Sequence, residues 1–136
     1  MTALILVGRI LFSLIFLASG ATGHLGQTEG TAGYAESRGV PKAKLLVQLS
    51  GVLIFAAGLG VALGIYLDLA LLGIVIYLLI TNVMVHHFWS DHDPMTKQSE
   101  MTQFMKNLAL IGAALALFAL TADGADMGWT LTEPLF

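Results

Sequence analysis

Long apolar stretches alternate with short polar connections along the whole chain. Four of these stretches are almost continuously hydrophobic, and they cover residues 3–22, 45–65, 69–89 and 104–122. An α-helix needs about 20 mostly apolar residues to cross a hydrocarbon core that is roughly 30 Å thick. Stretches that are apolar on every side do not fit the alternating pattern of a barrel strand. The pattern therefore predicts an all-α integral membrane four-helix bundle.

The composition agrees with a membrane domain and excludes several classes of function. The chain is 57% hydrophobic and 11% charged, whereas a soluble domain carries about 25% charged residues. It has no Cys, which excludes a disulfide scaffold, a thiolate-ligated metal site and a redox-active dithiol. The formal net charge is −3, so there is no basic stripe for nucleic acid. The short connections predict one transmembrane domain over residues 1–136.

The distribution of Lys and Arg predicts the orientation of the bundle. The two longer connections and the start of the fourth stretch lie on one side of the membrane, and they carry Arg38, Lys42, Lys44, Lys97 and Lys106. The other side has only Arg9, which lies inside the first stretch. Positive residues accumulate in cytoplasmic connections. We therefore expect both longer connections in the cytoplasm and both termini outside. The small residues at 18–21 would suit a cleaved signal peptide, but the missing positive n-region favours a retained first span.

Small residues and turn signals predict the internal packing. Lipid-embedded helices associate through small residues that let backbones approach, and the candidates are Gly58, Gly60, Gly64 and Gly112. These contacts could lie within the bundle or between copies. In the first connection, residues 31–38 are predicted to form a two-turn helix that ends at Gly39 and is followed by Pro41.

Polar residues inside the apolar stretches are the functional candidates, since each is expensive in lipid. On the third helix, Asn82, His86 and Trp89 fall at spacings of four and three, so we expect them to share one face. Polar residues of the other helices fall at the same depth, and they are Lys106 and Asn107 on the fourth helix, Ser19, Thr22 and His24 on the first, and Gln48 and Ser50 on the second. The sequence thus predicts one polar layer near the end that carries the longer connections.

This layer has two interpretations that the sequence leaves open. It could consist of interhelical hydrogen bonds that fix the bundle, with Lys106 reaching the interface. Alternatively, His86 and Lys106 could hold the polar end of a ligand, such as a quinone ring or a lipid phosphate. His87, Asp91 and His92 are weak candidates for a metal site on the connection. The sequence has no motif for nucleophilic catalysis.

Arg9 is a separate candidate on the opposite side of the membrane. Its nearest plausible counterions in the sequence are Asp68 and Asp123. The expected role of Arg9 is structural, either as an ion pair or by reaching towards the interface.

Several motifs together resemble one known family. They are the run HHFWSDHDP, the run FMKNLALIGAAL and the earlier segments SGATGHL, YAESRGVP and SGVLIFAAGLGVALG. The chain is similar to the DoxX family of four-helix bacterial and archaeal membrane proteins over roughly residues 5–120. The positions that match family motifs are Arg9, Ser19, Gly20, Gly39, Pro41, Gly58, Gly64, His86, Phe88, Trp89, Lys106 and Asn107. The chain departs from common members at Gly23-His24, where many carry a Lys, and at Ile54, where many carry a Glu.

The resemblance implies a multi-pass protein of a bacterial or archaeal cell membrane with a link to redox chemistry, because the family takes its name from a subunit of a thiosulfate:quinone oxidoreductase. We expect an accessory or assembly subunit of a quinone-linked membrane complex rather than a self-sufficient enzyme. Its expected partners are membrane lipids and redox subunits. The alternative is a structural or lipid-binding scaffold, or a homo-oligomer without a redox role.

Overall fold

The computed structural model describes residues 1–136 and contains helices but no strands. The elements in chain order are α1 (Thr2–Ala18), a π-helix (Ser19–Gly26), α2 (Thr28–Ser37), α3 (Ala43–Leu63), α4 (Leu67–Met84), a short 3₁₀ turn (Phe88–Ser90) and α5 (Pro94–Ala122). The chain has four helical segments long and apolar enough to cross a membrane. The predicted all-α membrane bundle is confirmed.

The four long helices pack as successive neighbours. Helix α1 lies against α3, α3 against α4, and α4 against α5. Their buried faces meet in one hydrophobic core that includes Phe16, Ile54, Leu71, Ile74 and Ala114. The outer faces carry exposed Leu, Ile and Val side chains, as expected where the solvent is lipid.

The first span is longer and less regular than predicted. Helix α1 does not end at Thr22 but continues as eight residues of π-helix to Gly26. This segment lies against α3, and a Cβ added at Gly20 would be 2.9 Å from the Gly51 carbonyl oxygen. The wider π turns and the missing side chain therefore bring the two backbones together.

The helix predicted in the first connection is present as α2. It begins at Thr28, three residues earlier than expected, and Gly39 follows it with φ +87°. Ala32 and Ala35 are buried against Ala43 and Val47 of the next helix. Helix α2 thus folds back onto the end of the bundle.

Helix α4 ends earlier than predicted. Its last residue is Met84, and the N–H groups of Val85 and His86 both bond to the Thr81 carbonyl. Trp89 lies in the separate 3₁₀ turn. The prediction that Asn82, His86 and Trp89 share one helix face is therefore wrong.

The predicted contacts between helices lie within the bundle at two of the four glycines. A Cβ at Gly58 would be 3.1 Å from Leu17, and one at Gly60 would be 2.8 Å from Ala70. Gly64 has φ +63° and ends α3 rather than forming part of a helix face. Gly112 makes no such contact within this chain, because its added Cβ would meet nothing within 4 Å, so a contact between copies stays a prediction at this position.

The residues after α5 fold back over the opposite end of the bundle. Leu131 donates its N–H to the Leu63 and Gly64 carbonyls. The N–H groups of Leu135 and Phe136 both bond to Asp68 Oδ2, at 2.7 and 2.8 Å. This tail thereby covers the turn between α3 and α4.

Candidate functional site

A cavity of about 560 Å³ lies at the end of the bundle that carries the longer connections. All four long helices, the π-helix and α2 contribute to its wall. Most of the lining is apolar, and the polar side chains in it are Ser19, His24, Thr31, Tyr34, Ser50, Tyr77, Thr81, His86, Lys106 and Asn107. An apolar pocket with a few convergent polar groups is the usual form of a small-molecule site.

A buried carboxylate organises one edge of the cavity. Glu100 of α5 is only 4% exposed. His86 Nδ1 lies 2.7 Å from Glu100 Oε2, and the Tyr34 hydroxyl donates to Glu100 Oε1. Both carboxylate oxygens are therefore engaged, and the carboxylate fixes the orientation of the His86 ring.

His86 keeps one ring nitrogen available to a ligand. Its ring lines the cavity, while Nδ1 is occupied by Glu100, which is not part of the cavity wall. Nε2 makes no hydrogen bond within the chain. Lys106 lines the same cavity, and its Nζ bonds only to the neutral amide oxygen of Gln103, at 2.5 Å. The site therefore presents an imidazole nitrogen and an unneutralised ammonium group.

A second polar pair lies deeper in the cavity. His24 Nδ1 is 3.0 Å from the Ser19 carbonyl oxygen, which can only accept a hydrogen bond. Nδ1 therefore carries the proton in the neutral ring, and Nε2 accepts from the Tyr77 hydroxyl at 3.2 Å. The π-helix is what brings His24 to this position, because it carries the backbone beside Gly51 of α3.

The other members of the predicted polar layer have different surroundings. Asn82 and Asn107 are buried and bonded to each other, with Asn107 Nδ2 2.9 Å from Asn82 Oδ1. Asn107 lines the cavity and Asn82 does not. Trp89 packs on Phe88 and Phe104 outside the cavity. Gln48 is exposed on α3 and is also outside the cavity wall.

The three weak metal candidates are not gathered into a site. Arg38 binds the Asp91 carboxylate with both terminal nitrogens, at 2.6 and 3.0 Å, and its Nε bonds to the Val85 carbonyl. His87 Nε2 lies 3.0 Å from the Arg38 carbonyl oxygen, and His92 is exposed. The hydrogen bond from Arg38 lowers the pKa of Asp91. These residues instead tie the two longer connections together.

Arg9 has no acidic partner, so the expected ion pair with Asp68 or Asp123 is wrong. The side chain is fully buried. It donates to the carbonyls of Val61, Ala62, Met127 and Trp129 at 2.7–3.1 Å. Arg9 therefore joins α1 to the end of α3 and to the C-terminal tail.

The sequence did not indicate Tyr77 or Glu100 as functional candidates. It placed His24 in the polar layer without a role of its own, and it did not connect Tyr34 with the site. Glu100 lies in a polar run that reads as an exposed connection. A usable signal is its distance of four residues from Phe104, which places it one turn before the apolar part of the same helix.

Comparisons with known proteins place the chain in a family. A sequence profile of the DoxX family matches residues 4–87, more than half of the chain. The chain belongs to the DoxX family. This DoxX-family chain is also 33% identical over 122 residues to the inner membrane protein YphA of Escherichia coli (strain K12), a similarity that covers 90% of this chain and 85% of the relative. No solved structure matches it significantly.

The profile match is shorter than the resemblance expected over residues 5–120. It ends at residue 87 and leaves out α5, with Glu100, Lys106 and Asn107. The similarity to YphA extends further along the chain, since it covers 122 residues. The comparisons support an integral membrane protein of the inner or plasma membrane.

Proposed function

We propose that this DoxX-family protein is an accessory or assembly subunit of a quinone-linked membrane complex, and that its cavity docks the polar head of a quinone or a lipid. The observation that carries the proposal is the placement of His86 Nε2 and Lys106 on a 560 Å³ cavity, with the His86 ring held by buried Glu100. A docking site explains why the bundle keeps these groups around a cavity.

The cost of these polar groups supports a role beyond packing. Ionisable side chains in membrane spans are expensive, and they commonly mark binding sites or ion paths. Asn82 and Asn107 bond to each other across α4 and α5, so they supply a structural hydrogen bond between these two helices. His86 Nε2 and Lys106 are not needed for that purpose, because neither bonds to another spanning helix.

The donor set fits the carbonyl oxygens of a quinone. The Lys106 ammonium donates hydrogen bonds, and His86 Nε2 donates when it carries a ring proton. A bound quinone would supply the electron-carrying group. The chain would hold its ring through Lys106 and His86, while Tyr34 and Glu100 keep the imidazole in place.

Native purification and mass spectrometry of co-purifying proteins and small molecules test the proposal. We expect a stoichiometric redox subunit or a retained quinone or lipid with the wild-type chain. We also expect its loss in the double variant His86→Leu and Lys106→Leu. His92→Leu with Lys97→Leu is the matched control, because both residues are exposed and lie outside the cavity. Equal retention in both double variants, with both folded, would show that the polar layer is structural only.

A lipid-binding scaffold is the second candidate, and one observation favours it. Exposed apolar side chains of α3 and α4 form part of the cavity wall, so the cavity is reached from the lipid-facing surface. Retention of lipid together with copies of this chain, and without a redox subunit, would support the scaffold over the redox complex.

A further inference from the structure

The cavity opens sideways between α3 and α4. At the opposite end of the bundle these helices are in close contact, since a Cβ at Gly60 would lie 2.8 Å from that of Ala70. Towards the cavity, both helices contribute residues that are at once exposed on the outer surface and part of the wall, including Leu49, Leu53, Ile76 and Ile80. These four residues, which we term the portal, connect the cavity to the surface that faces lipid.

Helix α2 forms the cavity wall towards the connections. The Tyr34 hydroxyl bonds to Glu100 of α5, and the Thr31 hydroxyl bonds to the Gly23 carbonyl of the π-helix at 2.6 Å. At the end of α2, Arg38 binds Asp91. These contacts hold α2 to three other parts of the chain, whereas the portal consists of side chains that are exposed towards lipid.

The charges at the cavity favour a negative group. The Glu100 carboxylate bonds to the His86 ring, at 2.7 Å, and to the Tyr34 hydroxyl, so it faces these two groups rather than the cavity. Arg38 is neutralised by Asp91. Lys106 has only the neutral Gln103 as partner, so its ammonium group is not paired with an acid. Because Glu100 is not in the cavity wall, an anion would meet Lys106 and His86 before the carboxylate.

We propose that the cavity binds a single-chain amphiphile with one anionic headgroup, which enters from the bilayer through the portal and places that group between His86 and Lys106. The chain of the ligand would lie along the apolar wall. A volume of 560 Å³ suits one small molecule, since such sites span about 300–1,000 Å³. This inference rests on the proposed docking function and narrows its ligand to an anion.

Binding to the protein in phosphatidylcholine nanodiscs tests the headgroup. The probes are a pyrene-labelled fatty acid, its methyl ester, a pyrene-labelled lysophosphatidate and a short-chain benzoquinone. We expect saturable binding of an anionic probe, and binding of the ester about tenfold or more weaker, since a hydrogen bond to a charged group contributes roughly 1.5–3 kcal/mol. Tighter binding of the fatty acid would identify a carboxylate ligand, and tighter binding of the lysophosphatidate a phosphate.

Variants of Lys106 test the role of its charge. Lys106→Gln should weaken binding of the anionic probe about tenfold and leave binding of the ester unchanged, because only the anion interacts with the positive charge of Lys106. Lys106→Arg should retain binding of the anion, and Lys97→Gln should behave as wild type. Equal binding of acid and ester by the wild type would overturn the anionic assignment.

The portal has its own matched pair of variants. Ile80→Trp should slow probe exchange by about tenfold or more, because a larger side chain obstructs entry. Val83→Trp should not, since Val83 is 64% exposed on the same helix but lies outside the cavity wall. Equal exchange rates in the two variants would show that the ligand does not use this route.

The results separate this inference from the proposed function. Saturable binding of the benzoquinone in preference to both anions would overturn the anionic ligand and leave the docking function standing. If no probe binds saturably to the folded wild type, the anionic ligand and the docking function are both contradicted.

Discussion

Arg9 is a fully buried cation that is held by backbone carbonyls rather than by an acid. Each carbonyl carries a partial negative charge, and four of them surround one guanidinium, which has five N–H donors in a planar fork. The carbonyls come from the end of α3 and from the C-terminal tail. A single side chain therefore connects the first helix to the last segment of the chain.

Replacing Arg9 should destabilise the protein strongly. Arg9→Leu removes the donors to four carbonyls, and a buried group left without its partner costs about 1–3 kcal/mol, so we expect a loss of at least about 3 kcal/mol. Thermal unfolding in detergent measures this loss. Lys97→Leu, which removes an exposed cation, is the control and should change stability little. A similar melting temperature for wild type and Arg9→Leu would contradict the role given to Arg9.

Tyr34 allows a matched test of the buried carboxylate. Tyr34→Phe removes the hydroxyl that donates to Glu100, and we expect a loss of about 1–3 kcal/mol because a buried oxygen loses its donor. Tyr66→Phe is the control, since Tyr66 is equally exposed at 44% and its hydroxyl makes no hydrogen bond. Thermal unfolding of the two variants should therefore differ, and equal melting temperatures would argue against the Tyr34–Glu100 contact.

Residue types in the sequence indicated part of the site, but not the hydrogen bonds that connect its members. His86, Lys106 and Asn107 could be named because polar side chains are rare in apolar stretches. Glu100 could not, because it stands in a polar run and becomes buried only when α2 packs over it. Its partners are 14 and 66 residues away along the chain, a separation that helical periodicity does not describe.

Two glycines in spanning helices should respond to substitution in opposite directions. A Cβ at Gly20 would lie 2.9 Å from a backbone oxygen of α3, so Gly20→Ala should destabilise the bundle by about 1–3 kcal/mol through overpacking. Gly112 has open space around it, and Gly112→Ala should stabilise α5 by about 0.5–1 kcal/mol through helix propensity. Thermal unfolding of the two variants shows whether each substitution raises or lowers stability. Destabilisation by both would mean that Gly112 packs against a partner outside this chain.

The contact between Arg38 and Asp91 should make the joined connections sensitive to pH. The hydrogen bond from Arg38 lowers the pKa of Asp91 in the folded protein. The stability from this pair is therefore fully present above the ordinary aspartate pKa, and it is lost as the pH falls through the lowered value. Melting temperatures measured from neutral to acidic pH should show wild type above Asp91→Asn at neutral pH, with the difference shrinking in acid.

Asp123→Asn is the control for this pH dependence. Asp123 is exposed and its carboxylate makes no hydrogen bond. Its variant should therefore follow the wild type at every pH. A constant difference between wild type and Asp91→Asn across the range would mean that ionisation of Asp91 is not coupled to folding.

The two ends of the molecule differ in charge, and this difference predicts its orientation. The longer connections carry Arg38, Lys42, Lys44 and Lys97, whereas the tail carries only acids. We expect the cavity end in the cytoplasm. Because the chain has no Cys, single cysteines can report on each side. Glu133→Cys should react with an impermeant thiol reagent in intact cells, and His92→Cys only after lysis. The reverse pattern would invert the topology.

The sequence by itself determined that the protein is an all-α membrane bundle with four spans, and it indicated the polar residues within the apolar stretches. It could do so because lipid imposes a length and a polarity on each helix. It also indicated α2 through Gly39 and Pro41, since turn signals act locally. Only the tertiary structure decided that α1 continues as a π-helix, that α4 ends at Met84, and that Glu100 meets His86 and Tyr34. These features depend on how the helices pack and on which distant groups satisfy buried donors and acceptors, and no local pattern in the chain encodes either.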